Sequence, residues 1–178
     1  MLDSERLEAE LSQLPLYYYS FIDPQALGFS ERIRYICKTE CPMYNTTWAC
    51  PPAVGEVDTC RQKCLGYGNC LLIGTVAEVS DIANIDETLA TRPAHEEITN
   101  EVRELFRQQG IEPYILSTEA CAACENCAWK EGLPCRFPER MHPCIESHGI
   151  NLIPTLEENG LVFQYGENIV TWFSLLFF

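Results

Sequence analysis

Eleven cysteines are the residues of this 178-residue chain whose type and spacing indicate chemistry. They are Cys37, Cys41, Cys50, Cys60, Cys64, Cys70, Cys121, Cys124, Cys127, Cys135 and Cys144. Their odd number, and an N-terminus that does not resemble a secretory leader, argue against a disulfide framework. Burial as small hydrophobic residues accounts for two or three of them. Metal ligation is the best explanation for the others.

The strongest signal is a run of three closely spaced cysteines, Cys121, Cys124 and Cys127, followed by Cys135 and Cys144. Ferredoxin-type clusters take three of their four ligands from such a C-x2-C-x2-C run. The two alanines inside the run are small enough to let backbone N–H groups approach the cluster sulfurs. All-cysteine zinc sites usually combine two separate C-x2-C pairs. The spacing therefore favours an iron–sulfur cluster, with zinc as the alternative.

A second group of cysteines precedes this run and consists of Cys37, Cys41 and Cys50. Cys41 and Cys50 are each followed by proline, which stiffens the chain and adds no competing N–H donor. Tyr44 and Trp48 lie between the cysteines and could screen a metal from water. Only three cysteines are local, so the fourth ligand must come from a distance or be absent. The alternative is a packed loop with free thiols.

The candidates for that fourth ligand are Cys60, Cys64, Cys135 and Cys144. Cys60 and Cys64 would share one face of a helix, either as buried neighbours or with one of them as a distant ligand. In two-cluster ferredoxins the cysteine after the three-cysteine run binds the other cluster. By that precedent Cys135 would cross to the first group and Cys144 would complete the second. The reach of an extended chain permits either arrangement.

Four other residues with ligating side chains carry weaker signals. Cys70 opens an apolar segment and is expected in the core. His95 is expected to be solvated in the first turn of a helix. His142 and His148 flank Cys144 and are candidate ligands only.

The net charge of −14, from 26 acidic and 12 basic residues, excludes several classes of partner. A nucleic-acid binder needs a basic face, and an anionic membrane surface would repel this chain. The apolar C-terminal stretch, residues 169–178, is shorter than the roughly 20 residues that span a bilayer. We therefore expect a soluble, cytoplasmic protein, whose acidic surface suits a basic redox protein as partner.

Hydrophobic periodicity predicts the elements that position the cysteines. Helices are expected over residues 1–14, 54–66, 93–109 and 141–148, with another turn over 155–159. Strands are expected over residues 17–22, 32–37, 70–76, 114–116, 161–165 and 169–177, the last two as a hairpin. This alternation predicts one domain, residues 1–178, of the α+β or α/β class. It would contain a small mixed sheet flanked by helices, and two irregular cysteine-rich segments, residues 37–70 and 121–144.

Three blocks resemble a known family: CKTECPMYNTTWACPP, CAACENCAWKEGLPCRFP and ERMHPCIESHGINL. They are similar to domain of unknown function 2284, the predicted metal-binding proteins of anaerobic bacteria and archaea, over the chain from about Arg34 to its end. The resemblance implies ligands at Cys37, Cys41, Cys50, Cys121, Cys124, Cys127 and Cys135. Family members often carry serine in place of Cys144. The resemblance therefore implies that Cys135 stays with the second group, and it supplies no reaction.

Three functions are compatible with these observations, and none of them identifies a catalytic residue. The first is electron transfer by a protein with two 4Fe–4S clusters. The second is an iron–sulfur enzyme in which the first cluster keeps an open iron for substrate. The third is an interaction module stabilised by zinc.

Overall fold

A four-stranded antiparallel sheet forms the centre of the protein in a computed structural model, which describes residues 2–178. The strands of this sheet and of a second, two-stranded sheet are β1 (Tyr18–Ile22), β2 (Gly28–Phe29), β3 (Cys70–Glu78), β4 (Tyr114–Leu116), β5 (Ile150–Asn151) and β6 (Ile169–Phe177). The large sheet has the order β1-β3-β6-β4, and β2 pairs with β5. Its central pair, β3 and β6, runs from Cys70 opposite Phe177 to Glu78 opposite Ile169.

Residues 2–178 contain six α-helices. They are α1 (Ser4–Leu11), α2 (Glu31–Glu40), α3 (Val57–Leu65), α4 (Ile85–Ala90), α5 (Arg92–Gln108) and α6 (Leu152–Glu158). The side chains of Asp3, Ser30 and Asn151 cap α1, α2 and α6 by accepting hydrogen bonds from backbone N–H groups of the first turn. These short polar residues therefore fix where three of the helices begin.

Both faces of the large sheet are covered, which makes its central strands apolar along most of their length. Side chains alternate along β3, so Leu71 and Ile73 point to one face and Leu72 to the other. The first face packs against α1 and α5, and the second against α6 and the segment around Ile145. The segment around Ile145 leads directly into the cysteine-rich region.

The predicted α+β class is confirmed. The pairing is antiparallel in both sheets, whereas a mixed sheet was expected. The physical reason is the position of β6. The strands β3 and β4 run parallel to each other with α5 between them in sequence, which is the pattern of a parallel crossover. The last strand, β6, inserts between them and is antiparallel to both.

Three predicted elements are wrong. Residues 32–37 belong to helix α2, because Ser30 caps a helix there. Residues 161–165 form no strand, and the start of β6 pairs with the end of β3 instead of with a hairpin partner. Within residues 141–148 the only helical piece is a short 3-10 turn, Glu146–His148, which left-handed Gly149 ends. In residues 2–178, no helix is both long and apolar enough to cross a membrane.

Candidate metal centre

The first cysteine site consists of Cys37, Cys41 and Cys50, at the C-terminal end of α2. Cys37 lies in α2 and Cys41 is its capping residue. Their four-residue spacing puts them on one side of the helix, one turn apart. The helix ends at Cys41 because Pro42 disfavours a helical conformation in the residue before it.

The loop after α2 folds back and returns Cys50 to the same place. The backbone N–H of Tyr44 donates to the carbonyl of Cys41, and that of Asn45 donates to the carbonyl of Pro51 at 2.7 Å. Asn45 has a φ of 58°, in the left-handed region that asparagine visits more readily than most residues. The result is a closed turn, with Cys50 buried inside it.

The thiols of the first cysteine site lie close enough to affect one another's ionisation. Burial raises the pKa of the Cys37 thiol to about 11, with negative charge at Cys41 and Cys50 acting in the same direction and the guanidinium of Arg34 opposing it. A metal binds the thiolate form of cysteine. Metal binding here would therefore displace a proton from Cys37.

Cys144 also lies at the first cysteine site, although it is 94 residues beyond Cys50 in sequence. The interaction between the two neighbouring thiols lowers the pKa of Cys50 to about 7 and raises that of Cys144 well above its ordinary value. Cys37, Cys41 and Cys144 line a cavity of about 480 Å³ whose other walls are largely apolar. Three thiols therefore line this cavity, and the Cys50 thiol lies beside one of them, that of Cys144.

The second cysteine site consists of Cys121, Cys124, Cys127 and Cys135, in the segment after β4. Burial raises the pKa of Cys121, the backbone N–H of Ala123 lowers it, and negative charge at Cys135 and Cys124 raises it. The effect of Ala123 agrees with the expectation that small residues let a backbone N–H approach a sulfur.

A 3-10 turn joins the two halves of the second cysteine site. Cys127 is the N-cap of this turn, Ala128–Glu131, and Gly132 closes it in the left-handed conformation with a φ of 68°. The Arg136 side chain then donates to the carbonyl of Asn126 at 2.6 Å. This contact ties the segment that follows Cys135 to the residue before Cys127.

A second cavity, of about 420 Å³, adjoins this site. Cys121, Ala122 and Ala123 line one part of it, and Arg92 lines another. The Arg92 guanidinium pairs with Glu96 at 3.4 Å. Its positive charge favours the thiolate form of Cys121, and also that of Cys50 in the first site. One arginine of α5 therefore acts electrostatically on both cysteine sites.

Two tryptophans, one in the loop of each site, contact each other. The rings of Trp48 and Trp129 meet edge to face, with centroids 4.7 Å apart and an interplanar angle of 74°. Each indole N–H donates to the other loop: Trp48 to the carbonyl of Leu133 at 3.0 Å, and Trp129 to Oδ1 of Asn45 at 2.9 Å. Trp48 had been expected to screen the first site, but its contact with the second site was not predicted.

The chemistry of the donors suits a metal group at both sites. Thiolates are soft ligands that select iron–sulfur clusters, zinc or copper(I). Among residues 2–178, no three potential ligands are arranged so that they could hold a single metal ion. The first site instead presents three thiols on the wall of a cavity of about 480 Å³, and the second presents one, that of Cys121, on the wall of a cavity of about 420 Å³.

The family model described as "Predicted metal-binding protein (DUF2284)" matches residues 20–178. The chain belongs to the DUF2284 family. The resemblance carried by the three cysteine blocks is thereby confirmed, and metal binding is the property that the family description predicts. No match was found among curated proteins or among solved structures.

The remaining cysteines of this DUF2284 member lie apart from both sites. Cys60 and Cys64 are buried on one face of α3, and the Cys60 thiol donates to the carbonyl of Val54 at 3.3 Å. Cys64 and Cys70 belong to the hydrophobic core, which confirms the expectation for Cys70. All eleven cysteines are free thiols.

The histidines are engaged by other protein groups. His95 is buried, contrary to the expectation that it is solvated, because α5 packs it against Thr75 and Ser174 with hydrogen bonds of 2.9 and 2.8 Å. In His148, Nε2 bonds to the Tyr114 hydroxyl at 2.6 Å and Nδ1 to Ser147 at 3.1 Å. Both ring nitrogens of this candidate ligand therefore already have partners.

Proposed function

We propose that this DUF2284 protein binds two 4Fe–4S clusters, one at each cysteine site, and acts in electron transfer. The observation that carries the proposal is the cavity of about 480 Å³ whose wall contains Cys37, Cys41 and Cys144. A zinc ion lies about 2.3 Å from each thiolate and is enclosed by its four ligands, so it needs no such space. A cubane cluster separates its ligands and fills a volume between them.

The apolar part of this cavity supports the same interpretation. Ile36, Ile145 and Trp172 line it together with the thiols. Apolar walls limit the access of water to a cluster, and solvent exposure is one of the factors that set its potential. A cluster bound by four thiolates supplies reversible electron uptake, at a net charge of about −2 in its oxidised form. The cationic side chains of Arg34 and Arg92 would offset part of that charge.

The proposed partner is a redox protein with a basic surface. The chain carries a net charge of −14, and two clusters would make the protein more acidic still. Opposite charges accelerate association, and salt weakens the effect. A reducing compartment such as the cytoplasm suits a protein whose eleven cysteines are free.

The test compares single cysteine variants after purification without oxygen. Two variants, Cys37→Ser and Cys124→Ser, should each reduce the iron from about eight to about four atoms per chain, because each removes one cluster. A matched control, Cys70→Ser, should keep about eight, because this cysteine lies in the core away from both sites. A colourless wild-type protein that contains stoichiometric zinc would refute the proposal. Iron that survives both site variants would refute the assignment of the sites.

A further inference from the structure

The identity of the fourth ligand decides whether the first cluster has an open iron. This question rests on the proposed function, since it presupposes a cluster at the first cysteine site. Sequence reasoning left four candidates, Cys60, Cys64, Cys135 and Cys144. Their positions in the structure differ sharply.

Three of the candidates are engaged elsewhere. Cys60 donates to the carbonyl of Val54, and Cys64 is fully buried in the core cluster beneath the sheet. Cys135 is tied to the second cysteine site, because the side chain of the next residue, Arg136, donates to the carbonyl of Asn126 at 2.6 Å. This contact favours Cys135 as a ligand of the second site and not of the first.

Cys144 is held beside the first site by backbone structure. It forms an isolated parallel bridge with Ser117, the residue that follows β4. The N–H of Ser117 donates to the carbonyl of Pro143 at 2.9 Å, and the N–H of Ile145 donates to the carbonyl of Ser117 at 3.0 Å. The end of β4, anchored in the sheet through β6, therefore fixes the position of Cys144.

The surroundings of the Cys144 sulfur resemble those of a cluster ligand. The N–H of Ser147 donates to Sγ at 3.2 Å, and hydrogen bonds to sulfur are among the factors that tune iron–sulfur clusters. Only 8% of the residue is exposed. Its side chain shares the cavity wall with Cys37 and Cys41.

The side chain of Arg34 joins three segments of the first cysteine site by hydrogen bonds. The Arg34 side chain of α2 donates to the carbonyl of Ser147, three residues after Cys144, and to the carbonyl of Gly55 at 2.7 Å. The helix that carries Cys37 is thus fastened both to the turn after Cys144 and to the loop after Cys50. These contacts hold the thiols of separate segments around one cavity.

We propose that Cys144 is the fourth ligand of the first cysteine site, bound together with Cys37, Cys41 and Cys50. The first cluster is then fully ligated by thiolates and has no open iron for a substrate. This favours electron transfer over the iron–sulfur enzyme. It also means that the second cysteine-rich segment, residues 121–144, contributes a ligand to each cluster, so folding of that segment and assembly of the first cluster depend on each other.

The test uses Cys144→Ala and Cys144→Ser, with Cys60→Ser as the matched control. Both variants at Cys144 should reduce the iron of the anaerobically purified protein from about eight to about four atoms per chain. The control should keep about eight, because serine retains a donor for the carbonyl of Val54. Retention of all iron by either folded Cys144 variant would overturn the inference, and so would iron loss in Cys60→Ser. Absence of iron from the wild type would instead refute the proposed function.

A double variant identifies which cluster is lost. The pair Cys124→Ser with Cys144→Ser should carry almost no iron, because each change removes a different cluster. If Cys144 were a ligand of the second site, the pair would keep about four iron atoms, as Cys124→Ser alone does. That result would overturn the assignment. Paramagnetic resonance of the reduced single variants should show complementary signals, and circular dichroism would report whether an iron-free variant has unfolded.

Discussion

The contact between Trp48 and Trp129 predicts that the two cysteine loops stabilise each other. Replacing either tryptophan by leucine removes the edge-to-face ring pair and one hydrogen bond to the opposite loop. An aromatic pair contributes about 0.5–1.5 kcal/mol beyond its buried area, and a hydrogen bond about 0.5–1.5 kcal/mol. Each single variant should therefore lose about 1–3 kcal/mol of the free energy of unfolding.

A double-mutant cycle separates the ring pair from the hydrogen bonds. The two indole N–H groups donate to Leu133 and Asn45, not to each other's ring, so the bonds cancel in the cycle. The coupling free energy that remains should be about 0.5–1.5 kcal/mol. It would be measured by urea denaturation of the four proteins without oxygen, followed by circular dichroism.

The variant Trp129→Phe is the control for the ring pair. In Trp129→Phe an aromatic ring remains and only the donor to Asn45 is lost, so most of the coupling to Trp48 should persist. Neither tryptophan is a ligand, so all variants should keep about eight iron atoms per chain. A coupling within about 0.3 kcal/mol of zero would show that the loops do not support each other through this pair.

Three further predictions concern the scaffold. Burial lowers the pKa of His95 from 6.5 to about 4. The free energy of unfolding should therefore be highest above pH 6.5 and fall by about 3 kcal/mol as the pH drops to 4. Urea titrations of His95→Gln should show a flatter pH dependence than those of the wild type. Cys70→Ala should reduce stability by about 1 kcal/mol in urea without changing the iron content, and iron loss would contradict its assignment to the core. Gly149→Ala should lower the free energy of unfolding by roughly 2–4 kcal/mol, because a Cβ there would lie 2.9 Å from Val57 Cγ1 at a φ of +74°. The control Gly132→Ala, with a similar φ and open space around it, should lower it by only about 1–2 kcal/mol. Thermal or urea unfolding would measure both.

The sequence predicted those features that local pattern determines. Apolar runs identified β3 and β6, and amphipathic periodicity with Pro93 near its start identified α5. The close spacing of Cys121, Cys124 and Cys127 indicated a ligand set, because a short loop must hold its cysteines together. The error at α2 arose because β-branched and aromatic residues suggested an extended segment, while the cap at Ser30 favours a helix.

Long-range contacts could not be predicted in the same way. The position of Cys144 beside Cys50 depends on its bridge to Ser117 at the end of β4, and so on the order of strands in the sheet. The burial of His95 likewise depends on Ser174 of β6, which comes 79 residues later. No local pattern contains this information. A polar residue at the end of an apolar strand, as Ser117 is, was the only signal available for the first contact.

Metal and sulfide analysis of the wild-type protein, purified without oxygen, tests the central claim most directly. Two 4Fe–4S clusters predict about eight iron atoms and about eight acid-labile sulfides per chain, in a brown protein with negligible zinc. About four of each would mean that only one of the two cysteine sites holds a cluster. A colourless protein with one or two zinc ions per chain and no labile sulfide would contradict the account at both sites.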